Sequence, residues 1–147
     1  GILLPPPATF GQGGVYRFRC YLTKTAAGTG TPKVQLRFGD TDLTSTVLGE
    51  VTLGAQTAAT DRGELDVTCV FRTTGASTAV AAWVRFTSNS GTAGFATTPV
   101  QVNGIAVTAF DCLVDGAHIG VAVDPATGAT WTIIGAHAKL DLIGTGQ

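Results

Sequence analysis

The 147-residue chain has the length of one ordinary domain, enough to bury roughly two-thirds of the surface of its unfolded form. Charged residues make up 13% of it, against about 25% in a typical protein, and abundant Gly, Ala and Thr imply a neutral, hydroxyl-rich surface. Nine basic and ten acidic residues leave a formal charge of -1, which excludes a basic stripe for nucleic-acid phosphates, and no apolar run approaches the roughly 20 residues of a helical bilayer span.

Period-2 alternation and Gly-rich punctuation recur from end to end, with no 3.6-residue apolar stripe, so the chain is expected to be all strand and turn. Residues 1–13 open with Leu4-Pro5-Pro6-Pro7 and should run as an extended lead-in, because proline donates no ladder hydrogen bond. With no Met and no visible signal peptide, the chain is expected to be processed or cut from a longer protein. Residues 14–147 are expected to form a single domain. Its first strand, 15–23, puts Tyr16, Phe18, Cys20 and Leu22 on one face and Arg17, Arg19 and Tyr21 on the other. Strands follow at 33–40 and 47–53. The stretch 61–64, Asp-Arg-Gly-Glu, is expected to be a solvated turn leading into strand 63–73, where Leu65, Val67, Cys69 and Phe71 point inward. In strand 78–88, Val84 and Phe86 supply the core, which leaves Trp83 facing outward. Further strands are expected at 100–110, 117–123 and 130–143. The last one has a parity conflict: Trp131 and Ile133 oppose Ala136, Ala138 and Leu140, and a bulge at Gly135 would reconcile the two sets. Eight strands in antiparallel order predict a two-sheet sandwich of the jelly-roll type, with an immunoglobulin-like sandwich as the alternative.

Three cysteines at wide spacing, Cys20, Cys69 and Cys112, fit neither a disulfide framework nor a zinc pattern; they are expected to be small buried hydrophobes with free thiols, a Cys20–Cys69 bridge between neighbouring strands being the alternative. No metal or cofactor site is expected. His118 and His137 fall on different strands outside any metal-ligand spacing, Asp40 and Asp42 have too few oxygen neighbours for a calcium loop, and Gly11 to Gly14 precede a strand where a phosphate loop would open a helix. No nucleophile, base and orienting group stand together, so no catalytic residues are assigned. Exposed aromatics could hold a sugar, with Trp83, Trp131 and Tyr21 as candidates.

The run Arg72-Thr73-Thr74-Gly75-Ala76-Ser77-Thr78, the Ala-rich strand with its Trp83, the Thr/Gly-rich loop and the closing Trp-Thr-Ile-Ile-Gly-Ala-His-Ala-Lys-Leu strand together resemble the terminal jelly-roll domains of tailed-bacteriophage structural proteins. These are tail-fibre, tail-tip and head-decoration modules with trimeric heads like those of tumour necrosis factor and complement. The resemblance covers most of residues 14–143 and is carried by composition more than by a diagnostic motif. It implies a non-enzymatic virion protein for particle assembly or host attachment, located in the phage particle. Its implied partners are itself, as a homotrimer, other virion proteins and host-surface glycan, without nucleic acid or membrane insertion. Trp131, Ile133, His137 and Trp83 are the expected subunit contacts. Asn89 and Ser90 in one loop, and Asp124 and Thr127 in another, are the expected receptor contacts. The alternative is a carbohydrate-binding sandwich module of a secreted protein.

Overall fold

A computed structural model describes residues 2–3, 13–25, 27–39, 46–89, 94–95, 100–113 and 118–141. The strands are β1 (Ile2–Leu3), β2 (Val15–Lys24), β3 (Lys33–Gly39), β4 (Thr46–Thr52), β5 (Asp61–Phe71), β6 (Val80–Ser88), β7 (Val100–Ile105), β8 (His118–Asp124) and β9 (Trp131–Asp141). They form two antiparallel sheets, β1-β8-β3-β4 and β7-β6-β5-β2-β9, which pack their apolar faces together as a β-sandwich. All eight strands read from the sequence are present. Short β1 is added to them, pairing Ile2 and Leu3 with Ile119 and His118 inside the segment expected to be a bare lead-in; residues 4–12 lie outside the described residues.

Three of the four strand pairs of one long rolled hairpin are present. Such a hairpin pairs its first main strand with its last, second with seventh, third with sixth and fourth with fifth. The pairs β2·β9, β3·β8 and β5·β6 are complete ladders. The fourth pair is not a ladder among the described residues, because β4 and β7 stand in different sheets beside β3 and β6; the two approach where the chain leaves β7, with Thr108 N donating to Leu48 O at 2.8 Å. This departure is why the expected strand over 100–110 ends at Ile105, and the chain returns to strand pairing only at an isolated Phe110–Thr78 bridge.

Alternation builds the core. Leu65, Val67, Cys69 and Phe71 of β5 are buried, as are Val84 and Phe86 of β6, and across the sandwich Val34, Leu36, Leu48 and Ile119 meet them. Each such side chain removed from water contributes about 1.5–3 kcal/mol. Aromatic rings gather at both ends. Tyr16, Phe71, Phe110 and Phe38 contact in series with centroids 4.5–6.0 Å apart, and Phe86, Phe95 and Trp131 form the opposite cluster.

All three cysteines are free thiols. Cys69 lies opposite Tyr16 while Cys20 lies opposite Leu65, four residues away along the ladder and about 13 Å by strand rise, too far for a disulfide. Burial pushes the Cys69 thiol up to about 12 and raises the Tyr16 hydroxyl as well. Both groups hold their protons more tightly when folded, so their contribution is complete below the ordinary thiol value and is lost as pH rises. Burial lowers Lys24, which acts in the opposite sense. Stability is therefore expected to fall from about pH 9 toward 12, by up to about 1.4 kcal/mol per pH unit from Cys69. Urea midpoints taken across this range should show a shallower fall in Cys69→Ala; parallel curves would contradict the assignment.

Candidate functional site

The outward face of the five-stranded sheet brings polar and aromatic side chains together. Strand register assembles it from residues distant in sequence. Across β9, β2, β5 and β6, one row reads Lys139, Arg17, Thr68, Trp83 and the next reads His137, Arg19, Asp66, Arg85. Trp83 and Tyr21 are 41% and 42% exposed, although both stand within strands that have neighbours on either side. A rigid ladder thus holds two aromatic surfaces in water.

Two adjoining depressions mark this face. One, of about 240 Å³, lies among Arg17, Arg19, Tyr21, Asp66, His137 and Lys139. The other, of about 220 Å³, lies over Thr68 between Trp83, Arg85 and the two β2 arginines. The small Thr68 side chain makes the second one, since it separates Arg17 from Trp83 by two strand spacings, about 10 Å. Ion pairing is uneven. Arg19 Nε contacts Asp66 Oδ1 at 2.7 Å and Glu64 Oε1 at 3.4 Å, and Lys139 Nζ contacts Asp141 Oδ1 at 2.6 Å. Among the described residues no carboxylate lies within ion-pair distance of Arg17 or Arg85.

A second cluster occupies one end of the sandwich. Lys24, only 1% exposed, donates from Nζ to Thr57 O at 2.7 Å and Ala59 O at 3.2 Å. Opposite it in register is Asp61, whose carboxylate accepts from Arg62 N at 2.7 Å and Phe95 N at 3.4 Å. Asp61 to Glu64 are therefore the first residues of β5 and not a solvated turn; pairing with β2 buries Asp61, and only Arg62 of the four is exposed. Nearby, buried Gln56 donates to Gly30 O at 3.1 Å and Pro125 O at 2.7 Å and accepts from Trp131 Nε1 at 2.7 Å. An open depression of about 470 Å³ sits among Thr25, Thr60, Arg62 and Asn89 at this end, and of its three charged members Lys24 and Asp61 are already engaged while Arg62 is exposed.

The residues singled out from sequence fall in different places. Trp83 and His137 share the outward face just described. Trp131 does not: β9 bulges at Ile134, since Tyr21 pairs with Gly135 and Leu22 with Ile133, one residue before the expected position. The bulge returns Trp131 to the inner side, where its ring stacks on Phe86 at 5.7 Å and meets Phe95 edge-on at 4.7 Å. Ile133 follows it to the rim and remains 59% exposed. Asn89 follows β6 directly, exposed, with its N–H given to Arg62 O; Ser90 lies outside the described residues. Asp124 caps its own turn through Oδ1 to Ala126 N at 2.9 Å, a turn that runs through Ala126 at φ 69° and Gly128 at φ 79°, with Thr127 exposed between them. Both loops lie at the Gln56 end. His118 stands on the other sheet, half-buried, so the two histidines are not brought together. Among the described residues no three metal-ligating side chains cluster, and Asp40 and Asp42 lie outside them.

The fold and this face define an antiparallel two-sheet β-sandwich with an aromatic and arginine-bearing outer sheet. Comparison with family models, curated proteins and solved structures finds no match for the chain.

Proposed function

We propose that the protein is a non-enzymatic attachment module that binds carbohydrate on the outer face of its five-stranded sheet, in keeping with its resemblance to phage virion domains for host attachment. The observation that carries this reading is the exposed indole of Trp83, flanked by polar side chains and fixed on a strand with neighbours on both sides. The electron-rich face of an aromatic ring attracts the C–H face of a pyranose, while neighbouring arginines and threonines supply hydrogen bonds to its hydroxyls. Rigid placement limits the entropy lost on binding. Trp131 is partly buried against Phe86 and Phe95 while Trp83 is 41% exposed, so Trp83 dominates quenching of the intrinsic fluorescence by acrylamide. Digalactose or digalacturonate should protect that emission, and Trp83→Ala should lose at least about tenfold in affinity for the sugar that binds, with the thermal midpoint little changed. Undiminished binding in Trp83→Ala, or absence of binding by both sugars, would refute the reading.

A separate observation favours assembly as a second role. Strand β9 has β2 on one side and, among the described residues, no strand on the other, and Ile133 and Ile134 on it are 59% and 62% exposed. Open apolar edges favour pairing with another chain. A homotrimer joined there should show three times the 14.9 kDa chain mass by light scattering and fall to monomer in Ile134→Lys; a monomeric wild type would remove this reading.

A further inference from the structure

Resting on the carbohydrate reading of this face, we infer that its ligand is an acidic saccharide whose carboxylate is received by Arg17 and Arg85 while its ring lies on Trp83. Four cationic side chains, Arg17, Arg19, Arg85 and Lys139, line the two depressions, with Asp66 as the single carboxylate lining them. Asp66 and Glu64 engage Arg19, and Asp141 engages Lys139. Among the described residues no carboxylate engages Arg17 or Arg85, which stand on either side of Thr68 and line the depression beside the indole. The chain as a whole is slightly acidic, at -1, so this local surplus is specific to the face.

The chemistry of the unmatched groups selects the ligand. A guanidinium fork matches a carboxylate with two parallel N–H donors, a geometry that a neutral hydroxyl cannot reproduce. Two free arginines suit one or two carboxylates. A nucleic-acid strand instead requires a run of cations tracking its phosphates, and here Asp66 and Glu64 interrupt such a run. The volume points the same way: about 220 Å³ beside Trp83 holds roughly seven water volumes, room for a single sugar ring, and the adjoining depression would take the next one.

Digalacturonate and digalactose share ring stereochemistry and differ only in their carboxylates, so their affinities for the intact chain, measured by calorimetry at low salt, test the inference. The acid should bind at least about tenfold more tightly. Arg17→Gln combined with Arg85→Gln should bring the ratio near one, whereas Lys33→Gln on the other sheet should leave it intact. Equal binding of the two sugars, a ratio that persists in the double variant, or equally tight binding of a single-stranded oligonucleotide would each overturn it. Those outcomes leave sugar binding itself standing; absence of binding by both sugars refutes the carbohydrate reading beneath it.

Discussion

Trp131→Ala is expected to lower the unfolding free energy by about 3–5 kcal/mol. Three losses combine at this position. The indole stacks on Phe86, with an interplanar angle of 18°, and meets Phe95 at 89°, so truncation opens a cavity between the sheets. Its Nε1–H satisfies Gln56 Oε1, and Gln56 in turn ties Gly30 to Pro125. Leaving that buried oxygen without its donor adds about 1–3 kcal/mol of the total. Trp131→Phe separates the contributions, because it keeps a ring against Phe86 and Phe95 and removes only the donor; it should cost about 1–2 kcal/mol. Urea denaturation of both variants is the measurement. A loss below 1 kcal/mol in Trp131→Ala would mean that the ring does not sit in the core.

Asp61→Ala comes next, with an expected loss of about 2–4 kcal/mol. Its carboxylate faces buried Lys24 and accepts two backbone N–H groups, one of them from Phe95 in the second aromatic cluster. Truncation removes the carboxylate charge that faces the ammonium across the β2–β5 pairing. Asp61→Asn keeps an acceptor oxygen and removes the charge, so it should lose less than the alanine variant. A Lys24→Met, Asp61→Ala double-mutant cycle should give a coupling energy of about 1–3 kcal/mol; strict additivity would show that the two side chains are independent. Gly94 is equally constrained, since a Cβ there would lie 2.1 Å from Asp61 Cβ and its φ is +81°.

These two sites show where local pattern reading succeeds and where it stops. Parity alone identifies Leu65, Val67, Cys69 and Phe71 as core, because a sheet buried on one face repeats every two residues. The same rule places Lys24 inward, continuing the row of Tyr16, Phe18 and Leu22, yet a lysine at the end of that row reads as the strand's exit into solvent. Burial of Lys24 depends on Asp61 and on the carbonyls of Thr57 and Ala59, partners that no local pattern reveals. For Trp131 the parity conflict in β9 correctly signals a bulge, but the conflict has two resolutions, and reading the indole as an outward contact picks the one the core does not use. Outward placement of Arg17, Arg19, Tyr21, Trp83 and Arg85 is legible strand by strand. Their convergence is not, since it requires β2 to lie next to β5 and β9, and that order is set by long-range pairing.

Pairing of β2 with β9 also governs when the fold can be completed. Val15 meets Asp141 across nearly the whole described chain, and the sheet bearing the arginine face has no flank beyond β2 until β9 has arrived. The equilibrium penalty is modest, because each doubling of loop length adds only about 0.6 kcal/mol. The kinetic one is larger: during vectorial synthesis the Tyr16–Phe18–Leu22 strand waits with an open hydrogen-bonding edge while the rest of the chain emerges. For that interval the strand that supplies Arg17 to the mature surface is also an open edge of the nascent chain, one to which a chaperone or a neighbouring nascent copy could pair.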